Sequence, residues 1–167
     1  MSRKPSLSIS PKLDNDGDQD IYEDMGGAFI GDAYQNTFLL NPGQGTNNWI
    51  CLVLEGTKSN RSAIGTELKI AFHENGVSRR VFRDVNSGGS FGSSPLRREI
   101  GIGQAQLIDE IEIRWHGSGQ VQVFKNIKPN QFLKITEGSS EIQKLDLKTI
   151  NWTLSDKLCL PIASSEK

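Results

Sequence analysis

The most regular hydrophobic pattern in the chain runs from Ile108 to Glu137. Ile111, Ile113 and Trp115 alternate with Glu110, Glu112 and Arg114, so one face of a strand is apolar and the other charged. His116-Gly117-Ser118-Gly119 predicts a turn, since these residues tolerate positive φ. Gln120 to Phe124 follows, with Val121 and Val123 on one face. A second turn falls at Asn126 to Asn130, where Pro129 opposes a continuing strand. Phe132 to Glu137 closes the unit, with Leu133 and Ile135 sharing a face. Three short strands cannot bury their own apolar face, so the rest of the chain must cover it.

Upstream, Asn48 to Glu55 is apolar on both faces and predicts a central strand buried on both sides. Gly56 to Gly65 is a polar loop. Leu68, Ile70 and Phe72 make an alternating strand, and Asn75-Gly76 is a strong hairpin signal leading into Val77 to Val85. That turn sets Ile70 opposite Val81, which suits a core, and Phe72 opposite Arg79, which does not, so the register stays open. Asn86 to Ser94 is a glycine-rich loop carrying Phe91. Ile100-Gly101-Ile102-Gly103 lacks the third glycine and following helix of a nucleotide loop. Ile142 to Leu147 predicts an edge strand, and Trp152 to Lys167 shows no pattern. At the other end, residues 1–12 read as a disordered tail, Ile21-Tyr22 and Asn36 to Asn41 as short strands, and Asn41 to Gly45 as a boundary turn.

Composition fits a loop-rich β protein: 35% hydrophobic residues and 17 glycines in 167 positions. A net charge of −1 gives no field that would recommend nucleic acid or an anionic membrane. Cys51 and Cys159 lack metal-type spacing, and Cys51 lies in an apolar run where a buried thiol is expected. Residues 1–12 contain no apolar signal core, and no apolar run approaches the roughly 20 residues of a membrane helix. The expectation is no membrane insertion and, if the sequence is complete, a cytoplasmic location.

The densest candidate chemistry is Leu13 to Tyr22, where Asp14, Asp16, Asp18 and Asp20 alternate around Gly17. Carboxylates at every second position of a tight loop converge on a point and suit a hard cation with many oxygen ligands, which means calcium.

Several pieces in a fixed order resemble a known family. They are N-W-I-C-L-V-L-E-G at Asn48 to Gly56, S-N-R-S-A-I-G-T at Ser59 to Thr66, and G-G-S-F-G-S-S at Gly88 to Ser94. I-G-I-G at Ile100 to Gly103 and I-R-W with S-G-Q-V-Q at Ile113 to Gln122 follow. N-I-K-P-N-Q at Asn126 to Gln131 and a closing Glu137 complete the set. Asn48 to Glu137 thus resembles the ASPIC/UnbV domain, found at the carboxyl end of extracellular proteins such as the cartilage acidic proteins. In that family the domain follows a β-propeller of FG-GAP/VCBS repeats with aspartate-rich calcium loops. By this resemblance, residues 13–45 are the remnant of a last repeat, 46–138 the domain, and 139–167 a tail. Asp14, Asp16 and Asp20 match side-chain ligand positions and Asp18 a backbone-carbonyl position. Lys12 stands where the family has an acidic first ligand, which weakens the site. The family's W-P-S-G turn is W-H-G-S-G here, and Ile100 and Ile102 replace Phe and Leu.

Other chemistry is thinner. His73 and His116 have no sequence neighbours at metal or triad spacing, and Ser90, Ser93 and Ser94 form no nucleophile elbow. Asp109, Glu110 and Glu112 read as a charged outer face rather than a glycosidase pair. Arg79, Arg80, Arg83, Arg97 and Arg98 read as edge protection. Asn60-Arg61-Ser62 and Asn151-Trp152-Thr153 are glycosylation sequons.

The expected fold is an all-β antiparallel sandwich of about eight strands with an N-terminal propeller-blade fragment. The expected function is a non-catalytic interaction module of an extracellular or periplasmic adhesion- or matrix-type protein. Calcium is its expected cofactor, and a protein or glycan surface its expected partner. Loops Gly56 to Gly65 and Asn86 to Ser94 are the candidate contact surface. The alternatives are a carbohydrate-binding accessory domain using Phe91 and Trp152, a hydrolase with a cleft near Asp109, and a truncated product without separate activity.

Overall fold

The computed structural model describes residues 6–11, 15, 19–24, 36–41, 45–88, 95–148 and 150. Eleven strands are present among them, and no helix. β1 (Ser6–Pro11), β2 (Gln19–Asp24) and β3 (Thr37–Leu39) form one antiparallel sheet in that order. The other eight strands form two four-stranded sheets. One has the order β11-β10-β4-β7, built from β4 (Asn48–Glu55), β7 (Arg98–Gly103), β10 (Gln131–Thr136) and β11 (Ile142–Leu145). The other has the order β6-β5-β8-β9, built from β5 (Glu67–Glu74), β6 (Val77–Asp84), β8 (Ile108–Arg114) and β9 (Val121–Ile127).

The two four-stranded sheets share a single core. Ile50, Leu52, Ile100 and Ile135 from one meet Leu68, Ile70, Ile111 and Ile113 from the other, and all are buried. Trp115 just beyond β8 is fully buried in the same cluster. Period-2 alternation in β5 and β8 places these side chains inward and Lys69, Glu110 and Glu112 outward. β4 is central, and Cys51 on its other face is also buried. This is the eight-stranded sandwich that the alternation requires.

Three local results refine the sequence reading. Asn75 (φ 51) and Gly76 (φ 78) make a tight turn with both central residues left-handed, the arrangement that matches strand twist. The open register settles on Ile70 with Val81 and Phe72 with Arg79. Arg79 is tolerated because β6 is the sheet's edge, so its guanidinium reaches past the core to Glu74 at 2.7 Å. Ser6–Pro11, expected within a disordered tail, is an edge strand instead. Leu7 and Ile9 alternate with serines there, and the segment pairs with β2 from Ser6–Asp24 to Pro11–Gln19.

β4 and β10 pair in parallel, Gln131 with Ile50 through Thr136 with Glu55, which an antiparallel sandwich does not anticipate. A parallel pair has no hairpin to hold its ends. Side chains do that work. At the start, the Asn130 amide nitrogen donates to the Trp49 carbonyl at 2.6 Å, and the Trp49 amide donates to Asn130 Oδ1 at 3.1 Å. Asn130 Nδ2 adds a bond to Asn48 Oδ1 at 2.6 Å. At the far end, Glu137 takes over.

Candidate functional site

Glu137 follows β10 directly, and its amide donates to the Glu55 carbonyl at 2.9 Å. That bond extends the parallel ladder by one step and aims the side chain at the loop after β4. Oε2 accepts the backbone N–H groups of Thr57, Lys58 and Ser59 at 2.7, 2.8 and 2.7 Å. Three successive amides converging on one oxygen form an anion-binding nest. Oε1 accepts the hydroxyls of Ser59 (2.9 Å) and Ser118. Thr57 Oγ1 donates to the Glu137 carbonyl at 3.2 Å, and the Ser118 amide donates to Ser59 Oγ at 3.2 Å. One buried carboxylate therefore ties together the 57–59 loop, the turn after β8 and the end of β10.

The surrounding residues are shaped to this contact. A Cβ on Gly56 would stand 2.2 Å from the Asn60 carbonyl oxygen, and one on Gly117 would stand 2.8 Å from Ser59 Cα. Only glycine permits these backbones to approach so closely. The 57–66 loop is braced internally as well. Asn60 Oδ1 accepts the Ile64 amide at 2.9 Å, and its Nδ2 donates to the Ile64 carbonyl at 2.8 Å. The first sequon asparagine is thus a loop brace. Ala63 sits buried at φ 55. On the other side, Gln122 Nε2 donates to the Ser139 carbonyl at 2.7 Å, and its Oε1 accepts the Gly138 amide at 3.0 Å, fixing the turn after Glu137.

Electrostatically the site is a carboxylate held as an anion. Burial pushes the Glu137 pKa up, but the hydrogen bonds from Ser118, Ser59 and Thr57 outweigh it and lower it to about 2. A carboxylate so stabilised is a poor base and is not an acid at neutral pH.

The family model for ASPIC and UnbV matches residues 56–142, a little over half of the chain. The chain belongs to the ASPIC/UnbV family. No curated protein matches it. The matched segment of the ASPIC/UnbV domain begins at Gly56, where the loop leaves β4. It takes in the amide nest, Ser118, Gln122 and Glu137, and ends at the start of β11. Two of the motif pieces that are far apart in the sequence, around Ser59 and Ser118, thus meet at this carboxylate.

Asp14, Asp16 and Asp18 lie outside the described residues. Asp20, the second residue of β2, is buried and accepts the Asn41 amide on Oδ1 at 3.0 Å. β1 and β2 pair in register down to Pro11 opposite Gln19. Among the described residues no group of three or more His, Cys, Asp or Glu side chains gathers as a metal site. Asn15 links this region to the ASPIC/UnbV sandwich. Its Oδ1 accepts from Arg97 at 3.4 Å, and its Nδ2 donates to the Lys148 carbonyl at 3.1 Å.

The remaining candidates separate cleanly. Glu112 and Glu110 lie 2.6 and 3.6 Å from Lys69 on the outer face, and Lys69 lowers the Glu112 pKa, the opposite of what a general acid needs. His73 Nδ1 lies 2.7 Å from Asp109 Oδ2, an exposed pair that register, not sequence spacing, brings together. Arg97 pairs with Glu99 at 3.1 Å, and Arg98 is half-buried against the Asn86 carbonyl, so these two do not belong with the arginines of β6. Phe91, Ser90, Ser93, Ser94, Trp152 and Cys159 lie outside the described residues. The importance of Ser59 and Ser118 has no local signal, since their target stands far along the chain.

Proposed function

We propose that this chain is a non-catalytic interaction module of an extracellular or periplasmic adhesion- or matrix-type protein. The observation that carries the reading is the use made of the family's motif residues. Ser59, Ser118 and Glu137 spend their polar groups on one another, Gln122 spends its own on the turn after Glu137, and Gly56 and Gly117 permit the close approach, which supports a rigid scaffold better than a reacting centre. Contacts with a partner fall to the outward side of the braced loop, at Lys58, Arg61, Ser62 and Ile64, all exposed. Glu137 presents that loop as a fixed surface, so little ordering cost accompanies binding.

The N-terminal sheet fits the remnant of an FG-GAP/VCBS repeat. In sequence Asp14, Asp16 and Asp18 fall between β1 and β2, and Asp20 lies just inside β2. These four would hold calcium, and the ion would neutralise carboxylates that otherwise repel. Lys12 makes the affinity lower than that of a complete site.

The test is a binding panel with purified matrix proteins and immobilised glycans, run with about 1 mM calcium and with chelator. The reading expects saturable capture by the whole chain that weakens when Lys58 and Arg61 are both changed to Glu. Turnover of ester or glycoside substrates without any such capture would overturn it. Calorimetric titration with calcium, on the chain and on Asp16→Ala, tests the ion separately. Heat that persists unchanged in the variant would sink the aspartate loop as its site.

A further inference from the structure

Among the described residues β6 ends its sheet, and only its β5 flank is bonded. It is eight residues long and runs in unbroken register from Asp84 opposite Glu67 to Val77 opposite Glu74, with no bulge and no proline. Every residue but Val81 is exposed, including Phe82 at 64% and Val77 at 58%. Of the sandwich's three other edge strands, β11 has four residues, β7 has glycines at Gly101 and Gly103, and β9 has seven residues with Asn126 left-handed at φ 58. β6 is the longest and most regular open edge of the sandwich, a ready template for another strand.

Its charges say which strand. Arg79, Arg80 and Arg83 stand against a single acid, Asp84. Arg79 is held by Glu74 at 2.7 Å, and Asp84 accepts from Asn86. Arg83 donates to the neighbouring Phe82 carbonyl at 2.9 Å. Among the described residues neither Arg80 nor Arg83 has a carboxylate within ion-pair distance. A second copy of β6 laid antiparallel against the first, with Val81 opposite Val81, would set Arg79 opposite Arg83 twice, which is unfavourable for like charges. The arginines therefore repel this chain's own edge and favour an acidic one.

We propose that β6 takes up an extended acidic segment of a partner protein as an added antiparallel strand. This rests on the interaction-module reading and names the partner's chemistry. Residues directly opposite one another share a face, so β6 dictates the order of the incoming segment. An acid meets Arg83, an apolar residue meets Phe82 on the outer face, another meets Val81 on the core side, and a second acid meets Arg80. From N to C terminus the segment reads acid–apolar–apolar–acid. The backbone bonds supply affinity and the alternate side chains supply selection. β2 carries this order at Asp20-Ile21-Tyr22-Glu23, but it is already bonded on both flanks, by β1 and by β3. The occupant is therefore a separate chain.

The probe is a short blocked peptide, Thr-Glu-Val-Ile-Glu-Thr, labelled for fluorescence anisotropy against the full chain at low salt. It should bind saturably, and amide exchange should slow within Val77–Asp84. Arg80→Glu with Arg83→Glu should weaken binding at least about tenfold, since both are exposed and each would turn attraction into repulsion. The same peptide N-methylated at alternate residues keeps its charges but cannot complete the ladder, and it should also bind at least about tenfold more weakly. Equal binding of the methylated peptide, protection mapping to another strand, or no binding at all would overturn the proposal, as would dimerisation of the chain through β6. If the peptide fails while matrix proteins or glycans are still captured, the edge is wrong and the module reading stands. If both fail, both are wrong.

Discussion

Glu137 and Glu112 are two carboxylates on the same domain, both with lowered pKa values, and they are held in opposite ways. Glu112 faces outward and leans on Lys69 at 2.6 Å, with Arg114 at 3.7 Å. Its stabilisation comes from cations on one sheet, Lys69 on β5 and Arg114 on β8 itself, and salt screens such pairs. Glu137 is buried and, among the described residues, has no cation within ion-pair distance. It is satisfied by neutral donors: three backbone amides and two hydroxyls from two distant segments. The contrast teaches that a carboxylate becomes architectural through the number of chain segments it joins, more than through the charge opposite it.

The comparison breaks hardest at Glu137 itself. Glu137→Ala leaves three amides and two hydroxyls without their acceptor in a buried site, and the sandwich should lose roughly 3 kcal/mol or more of unfolding free energy, measured by urea denaturation. The pH dependence follows the depressed pKa. The stabilisation is fully present above the unfolded value near 4.5 and is lost as pH falls towards about 2. Glu137→Gln should therefore flatten the stability curve across that acid window, and a wild-type curve already flat there would contradict the assignment.

Next come the close approaches. Gly56→Ala and Gly117→Ala each force a Cβ into backbone, and each should cost about 2 kcal/mol by the same measurement. Ser118→Ala removes one donor and should cost about 1 kcal/mol. It should also raise the Glu137 titration midpoint seen by carboxyl NMR, a response that a merely space-filling serine would not give. Smallest is Lys69→Met. It removes the cation from Glu112 and Glu110 yet should shift Tm by only about 1–2 °C, and raising salt to about 1 M should erase that difference. A large, salt-insensitive loss there would reverse the comparison.

Much of the sandwich was legible in the sequence because its signals are local. Alternation marks β5 and β8, Asn75-Gly76 marks the hairpin, and Ile142 begins an edge strand as expected. The parallel pairing of β4 with β10 was not legible, since it depends on Asn130 and Glu137 reaching residues some eighty positions away. Arg79 looked misplaced opposite Phe72 because the sequence does not say which strand lies at the edge. Leu7 and Ile9 carried a faint alternation that serines and prolines obscured. The candidate site was named only piecewise, through resemblance. The hydrogen bonds explain why those pieces go together, and no single piece reveals it.

The parallel pair also sets an order of events during synthesis. β4 leaves the ribosome early, but both its end fastenings and its β10 neighbour lie beyond residue 129. Contacts that span so much chain form slowly and late. Until Glu137 emerges, the apolar β4 has an unpaired flank and the amides of residues 57–59 have no anion to enclose. The nascent domain is then at its most prone to aggregate. Glu137 acts as the closing stitch of the parallel pair, and a chain halted a few residues short of it would have most of its strands and no way to stay shut.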